Sequence, residues 1–357
     1  MMGIERKWFG LARRSPRVTK PGRSLLGGVG TVPLFNPAEG KVVREAPGAG
    51  PGYWAGACSA LQADGKFYLY YRLRKPRDLG RGYECRIADS LDGLSFTDIW
   101  SAKKEEFGTS SVERASLFKT LEGSYRLYIS YVDPADNRWR IDVMEADSPS
   151  GLKPTARKKV LTGPEVGVEG VKDPVVLLMG RMHYMIVSYA SPTPAGKSAG
   201  HEEMHGTGDA YNTGLVKSYT GLATSGDGLS FEWQGNILDV GRGWDAYESR
   251  ITCLIYSPPV FNAFYDGIAR VEENYEERTG LAMSLDLRTF EKITLDGPAL
   301  VSPHASGSLR YIDAVQLGNR IYYYYEMARP DGAHDLMVNM VGWSDVQGVD
   351  AVIAGLV

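Results

Sequence analysis

The sequence predicts an all-β fold, a five-bladed β-propeller whose blades are four-stranded antiparallel sheets. Three observations predict it. The 357 residues include 42 Gly and 21 Tyr, a composition that favours turns and aromatic strands. A turn motif recurs along the chain, and strand-like runs recur ahead of each copy. Helical periodicity is nearly absent.

The recurring turn motif is clearest in two copies, "ADSLDGLSF" at 88–96 and "ATSGDGLSF" at 223–231. Weaker copies stand at 146–152, 282–290 and 342–349. The five copies are roughly 60 residues apart, as expected for a repeated supersecondary unit.

Two aromatic or β-branched runs of strand length precede each copy, and Gly-containing turns join several of these pairs as hairpins. With a strand on each side of the turn motif, every repeat offers the four strands of a propeller blade. Segment 26–50 is expected to supply a strand that closes the ring against the last blade, because closure removes exposed sheet edges. The first runs are 57–63, 114–120, 173–178, 249–256 and 311–317, and the second runs are 67–72, 125–132, 182–190, 260–267 and 320–328.

We expect two regions: a basic N-terminal arm at 1–25 and a single propeller domain at 26–357, with an insertion loop at 191–218 in blade three. The arm holds seven Lys or Arg against one acid, and it lacks the apolar core of a secretory signal. The net charge of −3 argues against a nucleic-acid partner, and no apolar run is long enough to span a membrane. Three widely spaced cysteines indicate a reducing, cytoplasmic location.

The stretch "HEEMH" at 201–205 matches the H-E-x-x-H pattern of zinc metalloproteases. That chemistry needs a helix, because only helical spacing puts both histidines on one face. Glycines at 196, 200, 206, 208 and 214 leave room for about one helical turn. We therefore expect a polar loop, from which His205 or Asp209 contacts a substrate.

Acids or arginines open four of the five first strands, and these strands line the central channel of a propeller. Carboxylates that share a channel repel one another, so at least one pKa is expected to rise and give a general acid. Aromatic side chains nearby are expected to stack on sugar rings, and arginines to bind hydroxyls, carboxylates or phosphate. The charged candidates are Glu113, Arg114, Asp173, Glu248, Arg250, Arg310 and Asp313, and the aromatic ones are Tyr53, Trp54, Trp244, Tyr247 and Tyr311.

The repeat pattern, with "KDP" in blade three and "ESR" in blade four, resembles the five-bladed propeller glycosidases of glycoside hydrolase families 43 and 32. The resemblance implies an enzyme that cleaves a glycosidic bond. It implies that Glu248 is the general acid. It also implies that Asp173 tunes the pKa of Glu248 and orients the substrate.

The chain departs from this family in blade one, where the family's base or nucleophile should fall within 53–59. The sequence there, "YWAGACS", has no acid. Three explanations stay open. Another blade supplies the base, with Glu113 or Asp313 as leading candidates and Glu84 as a weaker one. In the second explanation, phosphate is the nucleophile, as in phosphorylases of a related propeller family, and Arg114, Arg250 and Arg310 hold it. Or the protein binds sugar without cleaving it.

Two further residues have a minor place in this interpretation. Cys58 is a possible nucleophile, but a lone cysteine at a strand start is usually part of the core. His304 matches a histidine that some family members place near the axis beside a metal ion. No cofactor is required by the predicted chemistry, and an axial metal lacks support, since no D-x-D-x-D-G loop is present.

Overall fold

Residues 32–343 are described in a computed structural model of the chain, and their regular structure is almost entirely β-strand. Within this range the chain forms twenty strands and two short helices, α1 (Gly163–Val166) and α2 (His201–His205). The prediction of an all-β fold is therefore confirmed. Neither helix is long and apolar enough to cross a membrane. The predicted arm at 1–25 lies outside the described residues, as does nearly all of the motif copy at 342–349.

The strands form five successive antiparallel groups of four, numbered here along the chain. Group one contains β2 (Trp54–Ala63), β3 (Lys66–Arg74), β4 (Gly82–Ser90) and β5 (Thr97–Lys103). Group two contains β6 (Val112–Lys119), β7 (Tyr125–Val132), β8 (Trp139–Ala146) and β9 (Lys158–Thr162). Group three contains β10 (Gly170–Met179), β11 (Met182–Pro192), β12 (Val216–Ser225) and β13 (Glu232–Leu238).

The last two groups follow the same order. Group four contains β14 (Glu248–Ser257), β15 (Val260–Ile268), β16 (Arg278–Ser284) and β17 (Glu291–Lys292). Group five contains β18 (Leu309–Leu317), β19 (Arg320–Ala328), β20 (His334–Gly342) and β1 (Lys41–Arg44). Strand β1 comes from the start of the chain and pairs antiparallel with β20, with Lys41 opposite Val338. This confirms the strand expected from segment 26–50.

All ten predicted runs fall on the first or second strand of a group, with ends that differ by at most three residues. The largest differences, of three residues each, are early starts of the first strands β2 and β10. The added residues include small or charged ones such as Gly56 and Lys172, which interrupt an aromatic or branched run. The predicted insertion at 191–218 is slightly shorter than expected, because β11 continues to Pro192 and β12 begins at Val216.

The first strands of consecutive groups contact one another in a closed cycle, from β2 through β6, β10, β14 and β18 back to β2. A buried apolar cluster fills each of the five interfaces between consecutive groups, including the one between groups five and one. The aromatic second strands supply much of it. Burial of each such side chain contributes about 1.5–3 kcal/mol to the hydrophobic stabilisation of these interfaces.

Every first strand carries an irregularity in its pairing at the same place, a few residues after it begins. In three groups the irregularity includes a non-glycine residue with positive φ: Ala57 at 51°, Asp173 at 56° and Tyr311 at 51°. Such bulges re-aim side chains. Each of the three backbone N–H groups donates to a side chain from the second strand of the preceding group. The pairs are Ala57 with Glu326 at 3.2 Å, Asp173 with Ser130 at 2.8 Å and Tyr311 with Asp266 at 3.1 Å.

The recurring Ser-x-Asp motif forms the same turn in three groups. After β12, Asp227 Oδ1 accepts the backbone N–H groups of Leu229 at 2.7 Å and Ser230 at 2.8 Å. Ser225 Oγ accepts the N–H of Gly228 at 2.9 Å. The same bonds occur around Asp92 and Asp286. These hydrogen bonds lower the pKa of Asp227 to about 2, so its carboxylate is ionised at neutral pH.

Replacing this aspartate tests the role of the turn. We expect Asp227→Ala to lower the free energy of unfolding by about 1–2 kcal/mol, because two backbone donors lose their charged acceptor. Asp296→Ala, at an exposed position, is the control and should change it by less than about 0.5 kcal/mol. Urea unfolding of both variants measures the difference, and equal stabilities would refute the assignment.

Candidate active site

The three predicted catalytic carboxylates lie at the end of the fold where the first strands begin, which we call the strand-start end. Glu248 is the first residue of β14, while Asp173 and Glu113 occupy the bulges of β10 and β6. The exposed fractions of Glu248, Asp173 and Glu113 are 1%, 0% and 4%, respectively. All three side chains are therefore buried.

Arg250 brings two of these carboxylates together. Its Nη1 lies 3.1 Å from Asp173 Oδ2, and its Nη2 lies 3.4 Å from Glu248 Oε1. The same Nη2 contacts two carboxylates that the sequence analysis did not identify, Asp266 at 2.8 Å and Glu277 at 3.6 Å. Four acids from β10, β14, β15 and the start of β16 thus surround one buried guanidinium, so the predicted proximity of Asp173 and Glu248 is confirmed.

The buried position of Glu248 changes its pKa. Burial raises its pKa to about 7, with Glu277 and Asp266 adding to the rise and Arg250 opposing it. Burial also raises the pKa of Asp266 to about 6. The expected rise of at least one pKa is confirmed. The neighbouring carboxylates that contribute most at Glu248 are Glu277 and Asp266, whereas the resemblance had assigned this effect to Asp173.

Glu277 is the ionised counterpart of Glu248. Burial works against its charge, but ion pairs with Arg310 and then Arg250 lower its pKa to about 2. Arg310 also binds Glu326 Oε1, at 2.8 Å through Nε and 2.6 Å through Nη2. His334 Nδ1 lies 2.9 Å from the same oxygen. A chain of buried charges therefore connects Glu248 to group five.

Trp54 and Tyr311 are covered by arginines rather than open to a ligand. Arg74 and Arg310 each lie 4.4 Å from the Trp54 ring centre, and His334 stacks on the same indole at 5.1 Å. Arg250 lies 4.2 Å from the Tyr311 ring centre. Both aromatic residues are buried. The expectation that these two rings stack on sugar is therefore wrong, because protein side chains already cover the ring faces.

Glu113 is the alternative base that Arg72 links to the buried charges, because Arg72 also lies 3.5 Å from Glu326. Glu113 faces Arg72 at 3.3 Å and Arg74 at 3.6 Å, and its Oε2 has no hydrogen-bond partner among the described residues. The three guanidinium nitrogens of Arg72 also lack hydrogen bonds there, although the side chain is fully buried. Polar groups held this way have unused capacity for an oxygen-bearing ligand.

The other candidates for the third carboxylate belong to different contacts. Asp313 accepts the backbone N–H of Ala60 at 2.9 Å and lies 3.5 Å from Arg114, whose Nε donates to the Cys58 carbonyl. This network ties β2, β6 and β18 together beyond the bulges. Glu84 pairs with Arg86 on β4. Arg114, Asp313 and Glu84 are thus not gathered around Arg250.

Three more predicted residues also lie apart from the Arg250 cluster. Trp244 stacks on Tyr265 and donates to the Thr294 carbonyl at 2.9 Å. The backbone carbonyl of Tyr53 accepts the N–H of His334 at 3.0 Å. Burial raises the pKa of the Cys58 thiol well above its usual range, so it is protonated and a poor nucleophile.

The insertion lies over the strand-start end. The helix α2 spans the five residues of HEEMH, a single turn as expected. His205 is buried and its Nε2 lies 2.9 Å from Glu169 Oε2, while His201 is exposed. Asp209 is buried 3.4 Å from Arg81 and accepts the hydroxyl of Tyr275. Asp209 and His205 therefore stand in the loop predicted to contact a substrate.

Residues 32–343 contain no group of three or more His, Cys, Asp or Glu side chains arranged to hold a metal ion. His304, the residue proposed for an axial metal, lies in an exposed turn where its N–H donates to Ser302 Oγ at 3.1 Å. His304 is therefore exposed, whereas the carboxylates around Arg250 are buried. The histidine that is buried near these charges is His334.

Second strands supply several of the residues that the sequence analysis missed. Each aromatic run carries one polar residue in register with the bulge beside it. Arg72 lies opposite Gly56, Asp266 opposite Arg250 and Glu326 opposite Arg310. A polar residue at the same position of all five aromatic runs is a pattern in the sequence from which these site residues could have been predicted. The five residues are Arg72, Ser130, Ser188, Asp266 and Glu326.

Several solved structures that superpose on this chain are named as glycoside-active enzymes. A β-1,2-mannobiose phosphorylase from Listeria innocua, in complex with β-1,2-mannobiose, superposes with a TM-score of 0.58 at 18% identity, over 89% of this chain and 97% of that one. The β-xylosidase RS223 gives 0.59 at 12% identity, over 85% and 95%. A thermostable family-43 glycoside hydrolase gives 0.55 at 13% identity, over 83% and 91%.

The chain has the fold of these enzymes. The resemblance to propeller glycosidases is thus confirmed at the level of the fold, and identities this low extend it no further. No family model matches the sequence. No curated protein matches it either.

Removing the Arg250 charge tests whether it holds the carboxylates together. We expect Arg250→Met to lower the free energy of unfolding at pH 7.5 by about 3–5 kcal/mol, because buried carboxylates lose their counter-charge. The loss should shrink towards pH 5, since the carboxylates then take up protons. Arg278→Met removes a partly exposed partner of Glu273, so it should cost about 1 kcal/mol or less at either pH. A pH-independent loss in Arg250→Met would contradict this account.

The single helical turn formed by HEEMH also leads to a prediction about zinc binding. Because His205 already pairs with Glu169, we expect the purified protein to retain less than one zinc per chain after dialysis against zinc-free buffer. Plasma mass spectrometry measures this, with His201→Ala as the matched variant. One zinc per chain that this substitution removes would restore the metalloprotease interpretation.

Proposed function

We propose that this protein is a glycoside-active enzyme, built as a five-bladed propeller, in which Glu248 protonates the leaving oxygen of a glycosidic bond. The single observation that carries the proposal is the environment of Glu248. It is a buried carboxyl with a pKa raised to about 7, and it shares a guanidinium with Asp173 in a fold common to glycoside hydrolases and a phosphorylase. Partial protonation at neutral pH is what general-acid catalysis requires.

The five-bladed assignment is supported by the five groups of four strands, the closed cycle of first strands, and β1 completing group five. On this basis the Arg250 cluster lies near the propeller axis. Asp173 would position the substrate and Arg250, and Glu113 would activate the attacking water if the reaction is hydrolysis. The substrate would be a carbohydrate that enters from the strand-start end.

Phosphorolysis is the second candidate function. Blade one has Ala57 in the bulge where blades two and three have Glu113 and Asp173, so a protein base is missing there. Arg72 in the adjoining strand is buried, and its guanidinium donors form no hydrogen bond among the described residues, with Glu113 and Glu326 at ion-pair distance. A phosphate bound by these donors would replace the base as nucleophile, which moves the predicted phosphate ligands from Arg114 and Arg310 towards Arg72.

A non-catalytic sugar-binding protein is the third candidate function. A cytoplasmic location also stays a proposal, supported by three buried free thiols.

A substrate screen tests the proposed function. Aryl-glycosides and oligosaccharides are incubated with the native protein, with and without inorganic phosphate, and products are separated by chromatography. Turnover without phosphate supports hydrolysis, and sugar 1-phosphate formed only with phosphate supports phosphorolysis. Failure to turn over any glycoside, together with measurable sugar binding, would favour the binding protein.

The pH dependence tests the role of Glu248. Because the acid must be protonated, kcat/KM should fall as pH rises through about 7. We expect Glu248→Gln to lower kcat by a factor of about 100 to 10,000 while sugar binding is retained. Glu291→Gln, on the outer strand β17, is the control and should leave kcat unchanged. Normal kcat in Glu248→Gln would exclude this residue as the acid.

A further inference from the structure

The segment between β11 and β12, residues 193–215, links four of the five strand groups at the strand-start end. It starts and ends in group three. Its Tyr211 carbonyl accepts the Tyr247 hydroxyl of group four at 2.7 Å. Carbonyls of Thr207 and Gly208 accept from Arg81 of group one at 3.1 and 3.2 Å. Met204 joins a buried cluster with apolar residues of group two. The segment therefore crosses the end at which the candidate acids lie.

The same segment reaches the buried charges themselves. The Tyr211 ring centre lies 4.5 Å from Lys172 Nζ, and Lys172 Nζ lies 3.4 Å from Asp173 Oδ2. Burial raises the pKa of Tyr211 well above its usual range, with Asp173 and Glu248 adding to the effect. Tyr211 is 2% exposed. The segment thus forms the cover of the site.

A polar contact holds the far side of this cover. Asp209 lies between Arg81 of group one and Tyr275 of group four, 3.4 Å from the first and hydrogen-bonded to the hydroxyl of the second. Burial opposes ionisation of Asp209, but Arg81 and Lys172 lower its pKa, so the carboxylate is charged. Tyr275 also packs against Arg74 at 4.2 Å from the ring centre. A contact of this kind opens by exchanging its partners for water.

We propose that residues 193–215 are a lid that restricts the site to short glycosides and to the ends of longer chains. A polysaccharide cut internally must extend past the cleaved bond in both directions. Here the segment is tied to groups one and four, so it crosses the end of the fold over which such a chain would have to extend. Opening the lid admits one terminal unit at a time. This inference rests on the proposed function.

The native protein supplies the first test. The probes are p-nitrophenyl glycosides, oligosaccharides of two to six mannose, xylose or arabinose units, and mannan, xylan and arabinan. We expect cleavage of short substrates and loss of single terminal units from the oligosaccharides. Internal cleavage of a polymer would overturn the lid while leaving the proposed function in place. No turnover of any probe, either with or without inorganic phosphate, would overturn the proposed function and, with it, the restriction on chain length.

Loosening the lid supplies the second test. Tyr275→Phe removes the hydroxyl bonded to Asp209 and keeps the ring, so the open population should rise about tenfold. The expected results are a roughly tenfold higher ratio of polymer to aryl-glycoside cleavage and faster trypsin cleavage after the exposed Lys197 of the lid. Tyr256→Phe, an exposed tyrosine at the opposite end of β14, is the control and should change neither. Unchanged trypsin cleavage and an unchanged ratio in Tyr275→Phe would overturn the proposal.

Discussion

The buried guanidinium of Arg250 sets the charge balance of the strand-start end. Desolvation of a single carboxylate costs several kcal/mol, and four of them surround this one cation. One cation cannot neutralise four anions, so the cluster also depends on Arg310 and Lys172 as further cations and on partial protonation of Glu248 and Asp266. Burial is the largest cause of the raised pKa of Glu248, and the neighbouring carboxylates of Glu277 and Asp266 add to it.

The fold explains how such a cluster is assembled from distant parts of the chain. Four of the five first strands bring charged residues to the same end, and the bulges turn side chains out of the regular alternation. Second strands then fix the bulges, because Glu326, Ser130 and Asp266 accept the N–H groups that positive φ exposes. Asp266 bonds both the bulge of group five and Arg250, so the same residue shapes the backbone and the charge network.

Much of the fold was predictable from the sequence, and less of the site. The aromatic strands and the Ser-x-Asp turns are determined by residues that are close in the sequence, which is why strands such as β7 and β19 match their predicted ends. Asp173, Glu248 and Arg250 were predicted because they open first strands. Glu277 and His334 were not, since they reach the cluster from the starts of third strands, where no recurring pattern marks them. The covering of Trp54 by arginines also depends on contacts between groups, which local sequence does not encode.

The titration of Glu248 tests the central claim most directly. Carbon-13 NMR of protein labelled at glutamate side-chain carboxyls, with Glu248→Gln to assign the signal, reports its pKa without any substrate. The account predicts one glutamate resonance that titrates near pH 7 and is missing from the variant. A Glu248 signal that titrates below its ordinary value of 4.5 would mean that Arg250 dominates its environment, and the proposed proton donor would then be wrong.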